Sequence, residues 1–99
     1  MKPLPLHIAA RKWFDRANGN TYHSVTIYQG GAIVAEAPFS YGYGDHYLQT
    51  AAELIEHLGI VPPRTQYTNG GSEPLRLWAE RVGLIYSVDC TDVQRKKDL

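Results

Sequence analysis

The spacing of apolar residues changes once along this chain, and the change limits what it can fold into. In 6–14, 21–28 and 33–37 apolar side chains recur at every second position; beyond Ser40-Tyr41-Gly42-Tyr43-Gly44-Asp45 they recur at every third or fourth. The first period is that of a strand burying one face, and the second is that of a helix burying one stripe. Strands followed by helices in one short chain predict an α+β fold with helices on one face of an antiparallel sheet. Gly42 and Gly44 sit at the changeover, where residues without a side chain permit unusual backbone angles and close approach of a ligand or another chain. The segment Tyr41, Gly42, Tyr43, Gly44, Asp45 and His46 is therefore the first candidate site.

Within the strand half, Leu6, Ile8, Ala10 and Lys12 alternate with His7, Ala9, Arg11 and Trp13, giving a first strand over 6–14. Asn18-Gly19 then supplies the positive φ angles of a hairpin turn. In 21–28, His23, Val25 and Ile27 take one face and Tyr22, Ser24, Thr26 and Tyr28 the other, on β-branched and aromatic residues suited to a pleated sheet. Gly30-Gly31 is a second hairpin signal, and a third strand follows from Ile33 to Pro38-Phe39, where Pro38 requires an edge position or the strand's end.

In the helical half, Leu48, Ala51, Ala52, Ile55 and Leu58 form one stripe of a helix over 46–58, with Asp45 as N-cap and Gly59 as its stop. Burying such a stripe at about 25 cal/mol per Å² is the main source of stability expected for so short a chain. After extended Ile60-Val61-Pro62-Pro63 and a polar linker over 64–71, Ser72 is expected to cap a second helix. Pro74 would lie in its first turn, Leu75, Trp78, Ala79 and Val82 on its stripe, and Gly83 at its end. A last strand over 84–90 completes the order β-β-β-α-α-β. The expected domain is 1–91, with a charged, frayed tail over 92–99.

Composition narrows the function classes. Ninety-nine residues make one domain, and ten basic against ten acidic side chains give zero formal net charge, which disfavours a general nucleic-acid binder held by counterion release. Cys90 is the only cysteine, so no internal disulfide can form, a cysteine-based zinc site would need chains to combine, and a reducing cytoplasm is the expected setting. Met1-Lys2-Pro3-Leu4-Pro5-Leu6-His7 reads as neither a signal peptide nor a membrane span, and no membrane association is expected.

The runs Lys12-Trp13-Phe14-Asp15-Arg16-Ala17-Asn18-Gly19-Asn20-Thr21-Tyr22-His23-Ser24-Val25 and Tyr41-Gly42-Tyr43-Gly44-Asp45-His46-Tyr47-Leu48-Gln49-Thr50-Ala51 resemble small proteins of unassigned function found in bacteriophages and prophages. The resemblance spans about half the chain, from Arg11 to roughly Leu58. It implies an infected bacterial cytoplasm as the setting and assigns no activity to any residue; small phage proteins commonly act by binding host machinery.

No catalytic or cofactor signature emerges. The four histidines, at 7, 23, 46 and 57, show no pair three or four apart on a helix, so no metal site is expected. No serine sits in a nucleophile elbow, and Cys90 in a strand reads as a small buried residue. Three functions remain. The first is a non-enzymatic protein-binding module presenting the Tyr41–His46 loop and the Tyr22/Ser24/Thr26/Tyr28 sheet face, to a protein partner or to a second copy. The second is a nucleic-acid accessory protein using Arg11, Lys12, Trp13 and Arg16 with Tyr22, Tyr28, Tyr41 and Tyr43. The third is a phosphate-directed enzyme with amides of Gly42 and Gly44 as cradle, Asp45 or His46 as acid or base and Arg11 or Arg16 as counter-charge, in which the Asp45 carboxylate would compete for the same amides.

Overall fold

A computed structural model describes residues 5–99; the segment 1–4, and with it most of the proline-bearing start read above, lies outside them. The described elements are β1 (Leu6–Asp15), β2 (Asn20–Gln29), β3 (Ala32–Tyr41), α1 (His46–Leu58), α2 (Leu75–Val82) and β4 (Tyr86–Val93), followed by a 3-10 turn at Lys96–Asp98. The four strands form one sheet in the order β3-β2-β1-β4. The fold is α+β with a mostly antiparallel sheet, as the change of period implies. Its one departure is β4, which pairs with β1 in parallel. A tight hairpin can only return a strand antiparallel. The long connection through α1 and α2 instead carries the chain from the β3 edge to the opposite edge, where the last strand can run either way.

Both hairpins form where the glycines fall. Asp15 pairs with Asn20 around a loop closed by Gly19 N–H donating to Asp15 O at 2.8 Å, and the Asp15 carboxylate accepts from Ala17 N and Asn18 Nδ2. Gly30 and Gly31 have φ of 59° and 83°, the paired positive angles of a two-residue turn whose twist matches the strands it joins. β3 is an edge strand, as Pro38 requires, but it runs on to Tyr41. Val25 pairs with Ala37 and His23 with Ser40, so β3 carries one extra residue at Pro38-Phe39, and the proline occupies a bulge on an edge.

The core is a single seam between the sheet and the helices. Leu6, Ile8 and Ala10 of β1 and Val25 and Ile27 of β2 meet Ala51, Ala52 and Ile55 of α1, with Leu75, Trp78 and Ala79 of α2 and Leu84 beyond it, all buried. Three details of the helical half differ from expectation. α2 begins at Leu75 with Pro74 as N-cap, because Ser72 and Glu73 are bridged to Gln66 and Thr65, Glu73 N donating to Thr65 O at 2.9 Å and Ser72 Oγ to Gln66 Oε1 at 2.7 Å. Asp45 is the N-cap of α1, yet its carboxylate makes no capping bond. The supposed linker is braced: Trp78 Nε1 donates to Pro62 O, Arg81 to Pro63 O, and the Glu73 carboxylate accepts from Thr65 N and Arg81. β4 also extends through Asp92 and Val93, past the expected domain limit at 91.

Candidate functional site: an aromatic sheet face and its rim

The turn after β3 is held by backbone. Gly42 N donates to Thr21 O at 3.0 Å, His46 N to Tyr43 O and Leu48 N to Asp45 O. Gly42 has φ of 152°, and a Cβ placed there would lie 2.5 Å from the His46 ring, so any side chain here strains the backbone and forces His46 or the loop to shift. Beneath it His23 is fully buried. Its Nδ1 lies 3.4 Å from Gly42 O and its Nε2 2.6 Å from Thr50 Oγ1. A carbonyl can only accept, so Nδ1 carries the proton and Thr50 donates to Nε2. Burial lowers the His23 pKa; the Gly42 carbonyl opposes this and the nearby His46 adds to it. His23 is thus a neutral brace under the loop. Tyr41 and Tyr43 project outward, 62% and 77% exposed.

The face of the sheet opposite the helices carries an aromatic row. Trp13 and Tyr22 stack at 5.8 Å between ring centroids, Tyr22 and Phe39 at 4.6 Å, and Tyr41 meets Tyr22 edge-on at 5.7 Å. The row follows from register, since Trp13 pairs with Tyr22 and Tyr22 with Tyr41, while the bulge at Pro38-Phe39 turns Phe39 onto the same face. Lys96 Nζ stands 5.0 Å over the Phe39 ring, and Arg11 donates to Asp98 O at 3.0 Å. The Lys96–Asp98 turn therefore reaches from β1 to β3 across this face, and Ser24 between them is buried.

The predicted site residues are only partly brought together. Trp13, Tyr22 and Tyr41 form the row, and Gly42 to His46 form its rim. Tyr28 lies beside His7 six residues further along the strands, about 20 Å away, and takes no part. Arg16 and Gly44 share a separate cleft of about 330 Å³ with Lys12, Phe14 and Asp92. Of the groups expected in a phosphate cradle, Gly44 and Arg16 thus share one cleft, while Gly42 and Arg11 are otherwise engaged. The Gly42 amide is already bonded to Thr21, and Arg11 is on the far face, engaged with Asp98. Histidine spacing along α1 also misses the approach of His23 to His46, whose ring centroids are 5.6 Å apart, because that pair joins a strand to a helix. Among the described residues no three His, Cys, Asp or Glu side chains gather to hold a metal ion.

Comparison with protein-family models, with curated proteins and with solved structures gives no match.

Two further arrangements went unread in the sequence. On the open face, His7 Nδ1 lies 2.8 Å from Ser87 Oγ and His7 Nε2 2.8 Å from Asp89 Oδ2. This is the order hydroxyl, imidazole, carboxylate, but none of the three lines either cavity described here, and the trio clamps β1 to β4 across their parallel register. On the helical side, a groove of about 730 Å³ opens between the rim, α1, α2 and β4, with Arg64 in its wall. Neither could be found from spacing, because each joins residues brought together by the crossover. Cys90 is half-buried, and burial pushes its thiol pKa up, away from the reactive thiolate.

Proposed function

We propose that this chain is a small non-enzymatic binding protein that docks a protein partner on the aromatic end of its open sheet face and on the adjoining Tyr41–Asp45 rim. The observation that carries this reading is the way the rings are turned. Trp13, Tyr22 and Phe39 stack on one another, and Lys96 covers Phe39. Tyr22 is stacked on both sides and Phe39 lies between Tyr22 and Lys96, so the middle of the row offers ring edges and apolar area. Base stacking needs free ring faces, which these two central rings lack, leaving only the outer face of Trp13 and the tyrosines of the rim for a single-stranded nucleic acid. Ring edges beside two exposed tyrosines on a glycine-rich turn suit a protein surface, where aromatic contacts are enriched. A molecule 47 × 37 Å across and 17 Å thick has room on this face for the roughly 800 Å² per partner of a standard interface. The resemblance of the first half to phage proteins makes a host or phage protein in a bacterial cytoplasm the partner to seek.

The test is recovery of tagged protein from a bacterial extract with and without nuclease, beside a Tyr41→Ala/Tyr43→Ala variant. The expected result is a protein retained after nuclease and lost from the variant, with the melting temperature unchanged. Recovery of nucleic acid alone would replace this reading with the nucleic-acid one.

A further inference from the structure

Arg64 is buried, with its side chain 5% exposed, yet the residues around it do not use the whole of its guanidinium. Glu56 Oε1 accepts from Nε at 3.3 Å and from Nη2 at 3.2 Å, while Glu56 Oε2 accepts from the Arg64 backbone amide at 2.7 Å. The guanidinium also lies 6.0 Å from the centre of the Trp78 ring. Those contacts fix its plane and one of its edges. Nη1 has no hydrogen-bond partner among the described residues, and no side-chain nitrogen or oxygen shut off from solvent lacks one. Nη1 is therefore not shut off from solvent, and Arg64 lines a groove of about 730 Å³. A cavity of this size with a mainly apolar wall and one oriented polar anchor has the make-up of a small-molecule site.

The charges around the groove select the ligand. Glu56 is paired with the Nε and Nη2 edge of Arg64, and the Glu73 carboxylate in the wall is engaged by Arg81. Arg76 adds an exposed cation and Asp45 an anion. One free guanidinium edge beside one further arginine suits a single negative charge, whereas the Asp45 carboxylate penalises a dianion. Tyr86, Leu48 and Val88 offer apolar surface to the rest of the molecule. We propose that the groove binds a small organic monocarboxylate with an apolar or aromatic body, its carboxylate on Arg64 Nη1 and its body against β4 and α1. This site lies on the helical side of the sheet and is separate from the docking face, although Tyr41 and Tyr43 border both.

The experiment titrates 4-phenylbutyrate, its neutral amide and inorganic phosphate into the full chain, followed by amide NMR shifts. Binding of phenylbutyrate at least tenfold tighter than its amide and than phosphate, with shifts centred on Arg64, Arg76 and Val88, is the expected result. Arg64→Lys keeps the charge and removes the fork, and should weaken binding about tenfold. Because Arg64 also braces Glu56, Val88→Trp serves as a second variant, which fills the groove without touching that brace and should abolish binding while the fold persists. Equal binding of acid and amide, tighter binding of phosphate, no binding at millimolar concentration, or undiminished binding by folded Val88→Trp would each overturn the assignment. None of these outcomes bears on protein capture by Tyr41 and Tyr43, so the two readings fail separately.

Discussion

Gly42→Ala tests whether the turn between sheet and helix is as tightly closed as its geometry indicates. The new Cβ would sit 2.5 Å from Cγ and Cδ2 of His46 and 2.8 Å from its Cβ. Carbon atoms pack best at about 3.5–4.0 Å, so three contacts would overlap by about 1 Å. Relieving such an overlap by shifting His46 or the loop costs about 1–3 kcal/mol. Holding alanine at a φ of 152° adds a backbone cost of about 1–3 kcal/mol. The lower end of the sum, about 2 kcal/mol, corresponds to a fall in melting temperature of about 8–16 °C for a domain of this size. Thermal unfolding followed by circular dichroism measures it, in the native chain and in a His46→Gly background. Removing the His46 side chain deletes all three contacts and leaves the backbone cost alone. Gly42→Ala should therefore be milder there by about 1–3 kcal/mol, the coupling expected of touching residues. A melting temperature within about 2 °C of the native value, or an equal loss in both backgrounds, would show that the His46 ring does not cover Gly42 in solution.

Three further outcomes follow from named contacts. His23 titrates below its ordinary 6.5 when folded, so the unfolded chain binds the proton more readily: its contribution is complete above pH 6.5 and declines as pH falls from there toward the lowered value, by at most about 1.4 kcal/mol per pH unit. Urea midpoints between pH 5 and 8 measure this, and a flat profile would mean that His23 is not buried. Thr50→Val removes the hydroxyl that donates to His23 Nε2 and should cost about 1–3 kcal/mol by leaving a buried acceptor unpaired; the same denaturation curves check it. Arg81 and the Thr65 amide hold the Glu73 carboxyl down to about 2 from 4.5, so the loop 63–74 should loosen as pH falls through that interval, and Glu73→Gln should remove this acid limb in amide hydrogen exchange.

The strands and α1 were legible because each is specified locally. Val25 and Ile27 alternate with Thr26 and Tyr28, and Ala51, Ala52 and Ile55 share a stripe, whatever the rest of the chain does. The parallel pairing of β4 was not legible, because Tyr86 to Val93 read equally well in either direction and only the path of the crossover decides between them. Ser72 misled for a related reason: a serine before a helix can cap it or take part in a loop, and its pairing with Gln66, six residues earlier, is set by the fold of that loop. The rim was legible in outline, since Gly42 and Gly44 mark it. Phe39, which completes the aromatic row, was hidden by the bulge that reverses side-chain parity at Pro38, and the free edge of Arg64 arises only once Glu56 and Trp78 are folded against it.

A two-layer molecule 17 Å thick leaves one face of its sheet to water, and the solution adopted here is partial self-cover. Trp13 and Phe39 shield Tyr22, Lys96 shields Phe39, and the Lys96–Asp98 turn occupies Arg11 and closes over Ser24. If this cover were complete, the aromatic row would need no partner and would count only as a second, minor core. It stops short at β3: Phe39 remains 45% exposed and Tyr41 62%. The apolar area left open is thus concentrated at the edge that continues into Tyr43 and the glycine turn, on the side away from the turn that claims Arg11. A partner approaching from that edge meets unpaired β3 backbone and two tyrosines at once without displacing any contact of the folded chain, so binding there requires no prior unfolding.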